Sequence, residues 1–219
     1  MNTSTQIVDA IRNQGLLPLY FHKDSNTAIN ILQALFDAGV RVVEFTNRGD
    51  EALSNFRELV KTRDSKMPGL LLSAGTIKTR KDAEEYIDAG ADFLISPGLN
   101  EEVGTVSNER NIFWVPGCMT PSEIMKAETL GATLVKIFPG NLLGPGFVQS
   151  IKELFPKLLF IPTGGVTLDT QNISSWFKSG VIAVGAGSTL INKQSVESGD
   201  FDSIRSGTAA ALQLVQQSR

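Results

Sequence analysis

A lysine interrupts an apolar segment of this chain, the stretch TLVKIFPGN at residues 133–141. The residues around Lys136 have the composition of a buried strand, and a proline and a glycine follow them. A lysine amine that is kept from water is more readily neutral, and a neutral amine can attack a ketone to form a Schiff base. The alternative is structural, because lysines near strand ends often extend their charged ends into solvent.

A glutamate stands in a similar position in the earlier segment VRVVEFT, residues 40–46. Side chains alternate between the two faces of a strand, so Glu44 shares a face with Val42 and Thr46. A lone buried carboxylate is costly unless it is paired or protonated. Glu44 and Lys136 would together form a minimal catalytic pair, in which the amine is the nucleophile and the carboxyl group moves protons. A purely structural ion pair is the alternative interpretation.

Two glycine-rich segments late in the chain could hold a phosphate group. PTGGVT spans residues 162–167 and GAGS spans residues 185–188. Glycine lets the backbone approach an anion closely, and the loops after the last two strands of (β/α)8 barrels frequently bind phosphate. Ordinary tight turns are the alternative.

The elements that would position these residues are repeated βα units. Short apolar runs rich in β-branched and aromatic residues alternate with helical segments such as 26–39, 80–91 and 121–132. Eight strands are predicted, at residues 17–21, 40–46, 69–75, 92–97, 112–117, 133–139, 158–164 and 181–187. Eight units in this length predict one α/β domain over residues 1–219, a (β/α)8 TIM barrel with an extra N-terminal helix at residues 5–15. A doubly wound open sheet is the second choice.

The barrel prediction places the two unusual residues together. Lys136 would share the inner face of the sixth predicted strand with Leu134 and Phe138, near the C-terminal end, where such barrels carry catalytic groups. The second and sixth strands lie across the mouth of the barrel from each other. Glu44 and Lys136 are therefore expected to face one cavity.

Composition and charge limit the classes of molecule that this protein is expected to bind. The net charge is only −3 and no run of lysines and arginines occurs, which argues against nucleic acid and against a membrane surface as partners. Cys118 is the single cysteine, and no apolar run has the length of a membrane span. With His22 as the only histidine, a metal site built from histidine or thiolate is not expected. We predict a soluble cytoplasmic protein whose partners are small molecules or copies of itself.

The order and spacing of seven motifs resemble one known family over nearly the whole chain. The motifs are GVRVVEFTNR, SAGT, ISPGLNEE, VPGCMTPSE, VKIFPGN, PTGGV and VGAGS. They resemble the class I aldolases that cleave 2-keto-3-deoxy-6-phosphogluconate (KDPG) and 4-hydroxy-2-oxoglutarate (KHG). The resemblance implies a carbon–carbon lyase that needs no cofactor and assembles as a homotrimer.

The same resemblance suggests a role for individual residues. By position, Lys136 is similar to the Schiff-base lysine and Glu44 to the general acid/base. Arg48, whose planar guanidinium suits bidentate contact, resembles the group that holds the substrate carboxylate. Four further positions match the substrate pocket and four match the phosphate end, namely Thr76, Pro97, Phe138 and Thr163 for the pocket, and Gly164, Gly165, Gly187 and Ser188 for the phosphate.

The chain departs from the family pattern after the first strand. Many relatives carry a basic residue there, whereas this chain has Phe21, His22 and Lys23. The reaction type is therefore better defined than the substrate, and the galactonate isomer of KDPG stays a candidate beside KDPG and KHG. A non-catalytic barrel that binds phosphosugars is the alternative from another class, and the retention of both Lys136 and Glu44 argues against it.

Overall fold

The computed structural model describes residues 3–219, so the first two residues of the predicted domain lie outside the described range. The strands are β1 Leu16–Tyr20, β2 Val42–Thr46, β3 Leu71–Gly75, β4 Phe93–Ile95, β5 Phe113–Val115, β6 Gly117–Cys118, β7 Leu134–Ile137, β8 Leu159–Pro162 and β9 Val184–Ala186. The helices are α1 Ser4–Gln14, α2 Ser25–Asp37, α3 Ala52–Lys66, α4 Arg80–Asp88, α5 Glu101–Glu109, α6 Pro121–Thr129, α7 Gly140–Lys152, α8 Thr170–Lys178, α9 Lys193–Ser198 and α10 Phe201–Gln217. No helix among the described residues is long and apolar enough to cross a membrane.

The strands form a closed parallel ring. Strands β5, β4, β3, β2, β1 and β9 lie side by side, and so do β6, β7 and β8. Strands β5 and β6 are two parts of one barrel strand that is interrupted at Pro116, whose carbonyl accepts a hydrogen bond from Lys136 N at 2.9 Å. A bridge between Thr163 and Gly185 joins β8 to β9 and completes the circuit. The predicted (β/α)8 barrel is confirmed, and the open doubly wound sheet is wrong.

The eight predicted strands are all present, and most of them begin later or end earlier than predicted. The fifth is divided because proline has no N–H group to donate to a strand ladder. The N-terminal helix is also present, as α1. Helices α2, α4 and α6 are followed by glycines with positive φ, Gly39 at 102°, Gly90 at 96° and Gly131 at 87°. This is the left-handed conformation in which helices commonly end, and it turns the chain into the next strand.

The inner face of the barrel is apolar towards the N-terminal ends of the strands. Helix α1 packs against this inner cluster with Ile7, Val8 and Ile11. The strand residues of the cluster are Leu17, Val42, Leu71, Phe93, Ile95, Phe113, Val115, Leu134, Ile161 and Ala183. Inward-facing positions recur every two residues along a strand. Glu44 is therefore the next inward-facing residue after Val42, and Lys136 is the next after Leu134. Both groups therefore stand above an apolar base, in the C-terminal half of the barrel.

Candidate active site

Lys136 and Glu44 face each other inside the barrel. The Lys136 Nζ atom lies 3.4 Å from Glu44 Oε1, and the two side chains are only 6% and 1% exposed. In β2, Glu44 stands opposite Ser73 of β3, and in β7, Lys136 stands opposite Ile161 of β8. Because β2 and β7 are not neighbours in the ring, the pair spans the barrel interior instead of lying along the sheet.

Burial determines what this pair can do. A charge on either group would be costly if it stood alone, because both side chains are removed from water. Their short separation stabilises the ionised pair and also allows a proton to pass between amine and carboxyl group. Among residues 3–219, Glu44 Oε2 has no hydrogen-bond partner. One carboxyl oxygen therefore contacts the amine, and the other is available to a bound molecule.

Space for the Glu44 carboxyl group depends on Gly75, the last residue of β3. A Cβ atom at this position would overlap Oε1 and Cδ of Glu44. Any larger residue would push the carboxyl group away from its present position. Gly75 belongs to the SAGT motif, but the sequence interpretation gave it no role. Its inward direction follows from strand alternation, but its contact with Glu44 depends on the register in which Thr46 pairs with Gly75.

A cavity of about 180 Å³ lies at the mouth of the barrel, in addition to the smaller interior cavity that Glu44 and Lys136 line. It is lined by Leu19, Arg48, Phe138, Thr163, Gly164, Gly165, Val166, Gly185, Gly187, Ser188 and Thr189. Thr163 also lines the small interior cavity that holds Glu44 and Lys136, so it connects the two. The Lys136 Nζ atom lies 5.4 Å from the centroid of the Phe138 ring, which forms part of the mouth. The structure thus brings most of the predicted site residues around one entrance that leads to the buried pair.

The loop after β8 is held in place by backbone contacts. Thr163 N donates a hydrogen bond to the carbonyl of Ile137 at 3.0 Å, and Gly140 N donates to the carbonyl of Thr163 at 2.8 Å. Gly165 has a φ of 69°, and a Cβ atom there would overlap the backbone of Asn141 at the start of α7. Glycine at position 165 is therefore required by the packing of the loop itself, independently of any phosphate.

Two predicted site residues line neither of these cavities. Thr76 follows Gly75 directly and has a φ of 60°, which is rare for a β-branched residue and is typical of strained positions near functional sites. Pro97 follows β4 and lines a separate surface cleft. The backbone of Pro97 leaves no room for a side chain at Gly117. Both residues lie on the C-terminal rim, beside the entrance and not within it.

Comparison with known proteins identifies the family. The family model described as KDPG and KHG aldolase matches residues 7–206. The chain belongs to the KDPG and KHG aldolase family. A 2-dehydro-3-deoxy-phosphogluconate aldolase from Dickeya dadantii is 36% identical over 215 residues, which cover 98% of this chain and 97% of the relative. The KHG/KDPG aldolase of Escherichia coli K12 is 32% identical over 204 residues, 93% of each chain.

Solved structures of KDPG aldolases have the same fold. The KDPG aldolase from Legionella pneumophila, with pyruvate captured at low pH as a covalent carbinolamine intermediate, matches with a TM-score of 0.86 and 26% identity, over 94% of this chain and 98% of the other. Membership of the KDPG and KHG aldolase family makes this chain a carbon–carbon lyase. The family also confirms the resemblance read from the seven motifs.

Other reactive groups of this aldolase are poorly placed for catalysis. Cys118 lies in β6 beside β7, and burial raises the pKa of its thiol to about 12, so the thiol stays protonated at neutral pH. His22 follows β1, where its Nδ1 atom lies 3.1 Å from Asp24 N. Within the described range, no group of histidine, cysteine, aspartate and glutamate side chains could hold a metal ion. The buried amine and carboxyl group are therefore the main candidates for the chemistry.

The first prediction concerns Gly75→Ala. The added methyl group should displace the Glu44 carboxyl group and lower kcat of the aldolase reaction by about 100-fold, the scale of a lost general acid/base. Steady-state kinetics, with circular dichroism to check the fold, would measure this. Gly207→Ala in α10 is the matched control, because a Cβ atom there meets nothing within 4 Å, and it should keep the normal kcat. A folded Gly75→Ala enzyme with unchanged kcat would contradict the role given to this contact.

Proposed function

We propose that this protein is a class I aldolase in which Lys136 is the Schiff-base nucleophile and Glu44 the general acid/base. The observation that carries the proposal is the buried amine–carboxyl pair, 3.4 Å apart, in a member of the KDPG and KHG aldolase family. Schiff-base cleavage requires a neutral amine beside a group that can both accept and return a proton, and these two side chains provide that arrangement. The chemistry needs no cofactor.

The proposed reaction begins when Lys136 passes its proton to Glu44 and the neutral amine attacks C2 of the 2-keto acid. Glu44 then relays one proton from the amine nitrogen to the new alkoxide oxygen, which gives the carbinolamine and leaves Glu44 protonated. Glu44 protonates the departing hydroxyl group, and loss of water from the carbinolamine leaves an iminium ion. Glu44, now a carboxylate, accepts the proton of the C4 hydroxyl as the C3–C4 bond breaks, and the electrons of that bond move towards the iminium nitrogen to form an enamine. The aldehyde leaves, C3 takes the proton back from Glu44, and hydrolysis releases pyruvate. The carbinolamine captured in the Legionella relative supports the first step.

The proposed substrates are KDPG, cleaved to pyruvate and glyceraldehyde 3-phosphate, and KHG, cleaved to pyruvate and glyoxylate. The names of the two relatives described above contain these substrates. A probable 2-dehydro-3-deoxy-6-phosphogalactonate aldolase from Rhizobium meliloti is 28% identical over 86% of this chain, so the galactonate isomer is the second candidate. Parallel rate assays on the three substrates decide among them, because the gluconate and galactonate compounds differ in configuration at C4.

The mouth of the barrel supplies the proposed binding groups. Arg48 is an exposed cation there, and we assign it to the substrate carboxylate, which its guanidinium can contact with two hydrogen bonds. Backbone N–H groups around Gly164, Gly165 and Gly187, with the Ser188 hydroxyl, are assigned to the phosphate. The remaining proposed pocket residues are Phe138 and Thr163 in the mouth, and Thr76 and Pro97 on the rim beside it.

We also propose that the enzyme is a cytoplasmic homotrimer. The resemblance to the family supports the trimer, and four large apolar side chains that lie on or beside α6 and α7 are well exposed in the monomer, namely Met119, Met125, Leu142 and Leu154. Burying such side chains between subunits would remove apolar surface from water. Sedimentation equilibrium should give three times the monomer mass, and a stable monomer at micromolar concentration would contradict the trimer.

Covalent trapping tests the nucleophile. Pyruvate with borohydride should add one reduced pyruvate to the intact chain, and peptide mapping should locate it on Lys136. Lys136→Arg should lose both trapping and turnover while the fold is kept, because guanidinium stays charged and cannot form the imine. Lys178→Arg, on the surface helix α8, is the control and should be trapped normally. Label on a peptide without Lys136 would overturn the assignment.

Removal of one hydroxyl group tests the phosphate end. Ser188→Ala should lower kcat/KM for KDPG by about tenfold, the value of one hydrogen bond to a charged group. KHG has no phosphate, so its kcat/KM should change by less than about twofold. Ser65→Ala, exposed on α3, is the control for both substrates. An equal loss on the two substrates would show that Ser188 does not bind the phosphate.

A further inference from the structure

Helix α1 contributes one side chain to the interior cavity that holds Glu44 and Lys136. The other residues that line this cavity lie on strands or, in the case of Thr163, directly after one, whereas Ile11 comes from α1. Ile11 is 2% exposed and belongs to the inner apolar cluster. The cavity of the catalytic pair is therefore closed, on the side away from the mouth, by a helix that precedes every strand of the barrel.

This interior cavity is small and mostly apolar. Its volume is about 10 Å³, whereas one water molecule needs about 10–15 Å³. Glu44 and Lys136 are the only charged residues that line it, and apart from Thr163 the remaining lining residues are apolar. Arg48, the other cation of the site, lines the mouth instead. Ile11 thus fills the space through which solvent would otherwise approach the pair.

Gln14 fixes α1 to the strand that carries Glu44. The Gln14 side chain donates a hydrogen bond from Nε2 to the carbonyl of Val42 at 2.8 Å, and its Oε1 atom accepts one from Val42 N at 2.9 Å. It also accepts a hydrogen bond from Arg41 N at 2.6 Å and donates one to the carbonyl of Leu16 in β1. Val42 is the inward-facing residue directly before Glu44. One side chain therefore sets the position of α1 relative to β2.

We infer that α1 is a positioning element of the active site, in which Ile11 excludes water from the Lys136–Glu44 pair and Gln14 holds Ile11 in place. The inference rests on the proposed function, because its consequence is a supply of neutral Lys136 amine for imine formation. Water beside the amine would stabilise the ammonium form, so less of the amine would be neutral at a given pH. Neither Ile11 nor Gln14 lines the mouth, so neither is expected to contact the substrate.

The test compares two isoleucines of α1. Ile11→Ala opens the interior cavity. Ile7→Ala removes the same atoms one helical turn away, at a residue that is fully buried in the same cluster but does not line the cavity. Both variants should lower the Tm by similar amounts, since each deletes the same buried apolar groups. Only Ile11→Ala should alter the chemistry of Lys136.

The measurement is the rate of imine formation with pyruvate, followed by rapid quenching in borohydride across a range of pH. In Ile11→Ala the rate profile should move to higher pH by about one unit, which lowers the rate at neutral pH by about tenfold. The pyruvate concentration that half-saturates the rate should change by less than about twofold, because the mouth is unaltered. Ile7→Ala should keep the profile of the unmodified enzyme.

A second variant tests the attachment of α1. Gln14→Met keeps the length of the side chain but removes its four hydrogen bonds to β1, β2 and the residue before β2. It should move the profile in the same direction, with a rate at neutral pH about threefold lower, since α1 keeps its apolar packing. Gln213→Met, at an exposed position of α10, is the matched control and should change nothing. Gln14→Met keeps the test decisive if Ile11→Ala does not fold.

The outcomes separate this role of α1 from the aldolase proposal. Normal trapping in the unmodified enzyme, with the same pH profile in folded Ile11→Ala or Gln14→Met, would overturn the inference and leave the proposed function intact. An equal shift in Ile7→Ala would also overturn it, since loss of packing anywhere in α1 would then explain the effect. Absence of pyruvate trapping on Lys136 in the unmodified enzyme would remove the proposed function, and the inference with it.

Discussion

The structure depends on keeping an amine and a carboxyl group close together where both side chains are almost completely buried. Either charge alone would be costly in the barrel, so each group stabilises the other, and removal of one would leave the second unpaired. The apolar cluster beneath them, closed by α1, keeps solvent from that side. Closure of the ring is what lets β2 and β7, which share no hydrogen bonds, bring Glu44 and Lys136 within 3.4 Å.

The proposed catalytic pair and the proposed binding residues lie on different kinds of structural element. Side chains on rigid strands hold the amine–carboxyl pair, whereas loops after β8 and β9 form most of the mouth. Strand positions limit how far a reactive atom can drift, and loops can vary in shape without disturbing the barrel. Thr163 lies at the junction, since it lines both cavities and is tied by its backbone to Ile137 and Gly140.

Several glycines in the motifs are required by the packing of neighbouring atoms, independently of substrate binding. Gly75 leaves space for the Glu44 carboxyl group, Gly117 accommodates the backbone of Pro97, and Gly165 accommodates the backbone of Asn141. A substitution at Gly165 would disturb the start of α7 as well as any phosphate nearby. Ser188 is the cleaner probe of the phosphate end for this reason. A motif that resembles a ligand site can therefore combine residues that bind with residues that make room.

The sequence by itself determined the eight strands and the inward faces of β2 and β7, and it singled out Lys136 and Glu44 as polar residues within apolar strands. These features follow from local periodicity, because alternation along one strand needs no knowledge of its neighbours. Only the tertiary structure decided the contact of Gly75 with Glu44 and the positions of Thr76 and Pro97 outside both cavities. Those contacts unite residues far apart in the chain, and they depend on strand register and ring closure, which local patterns do not encode.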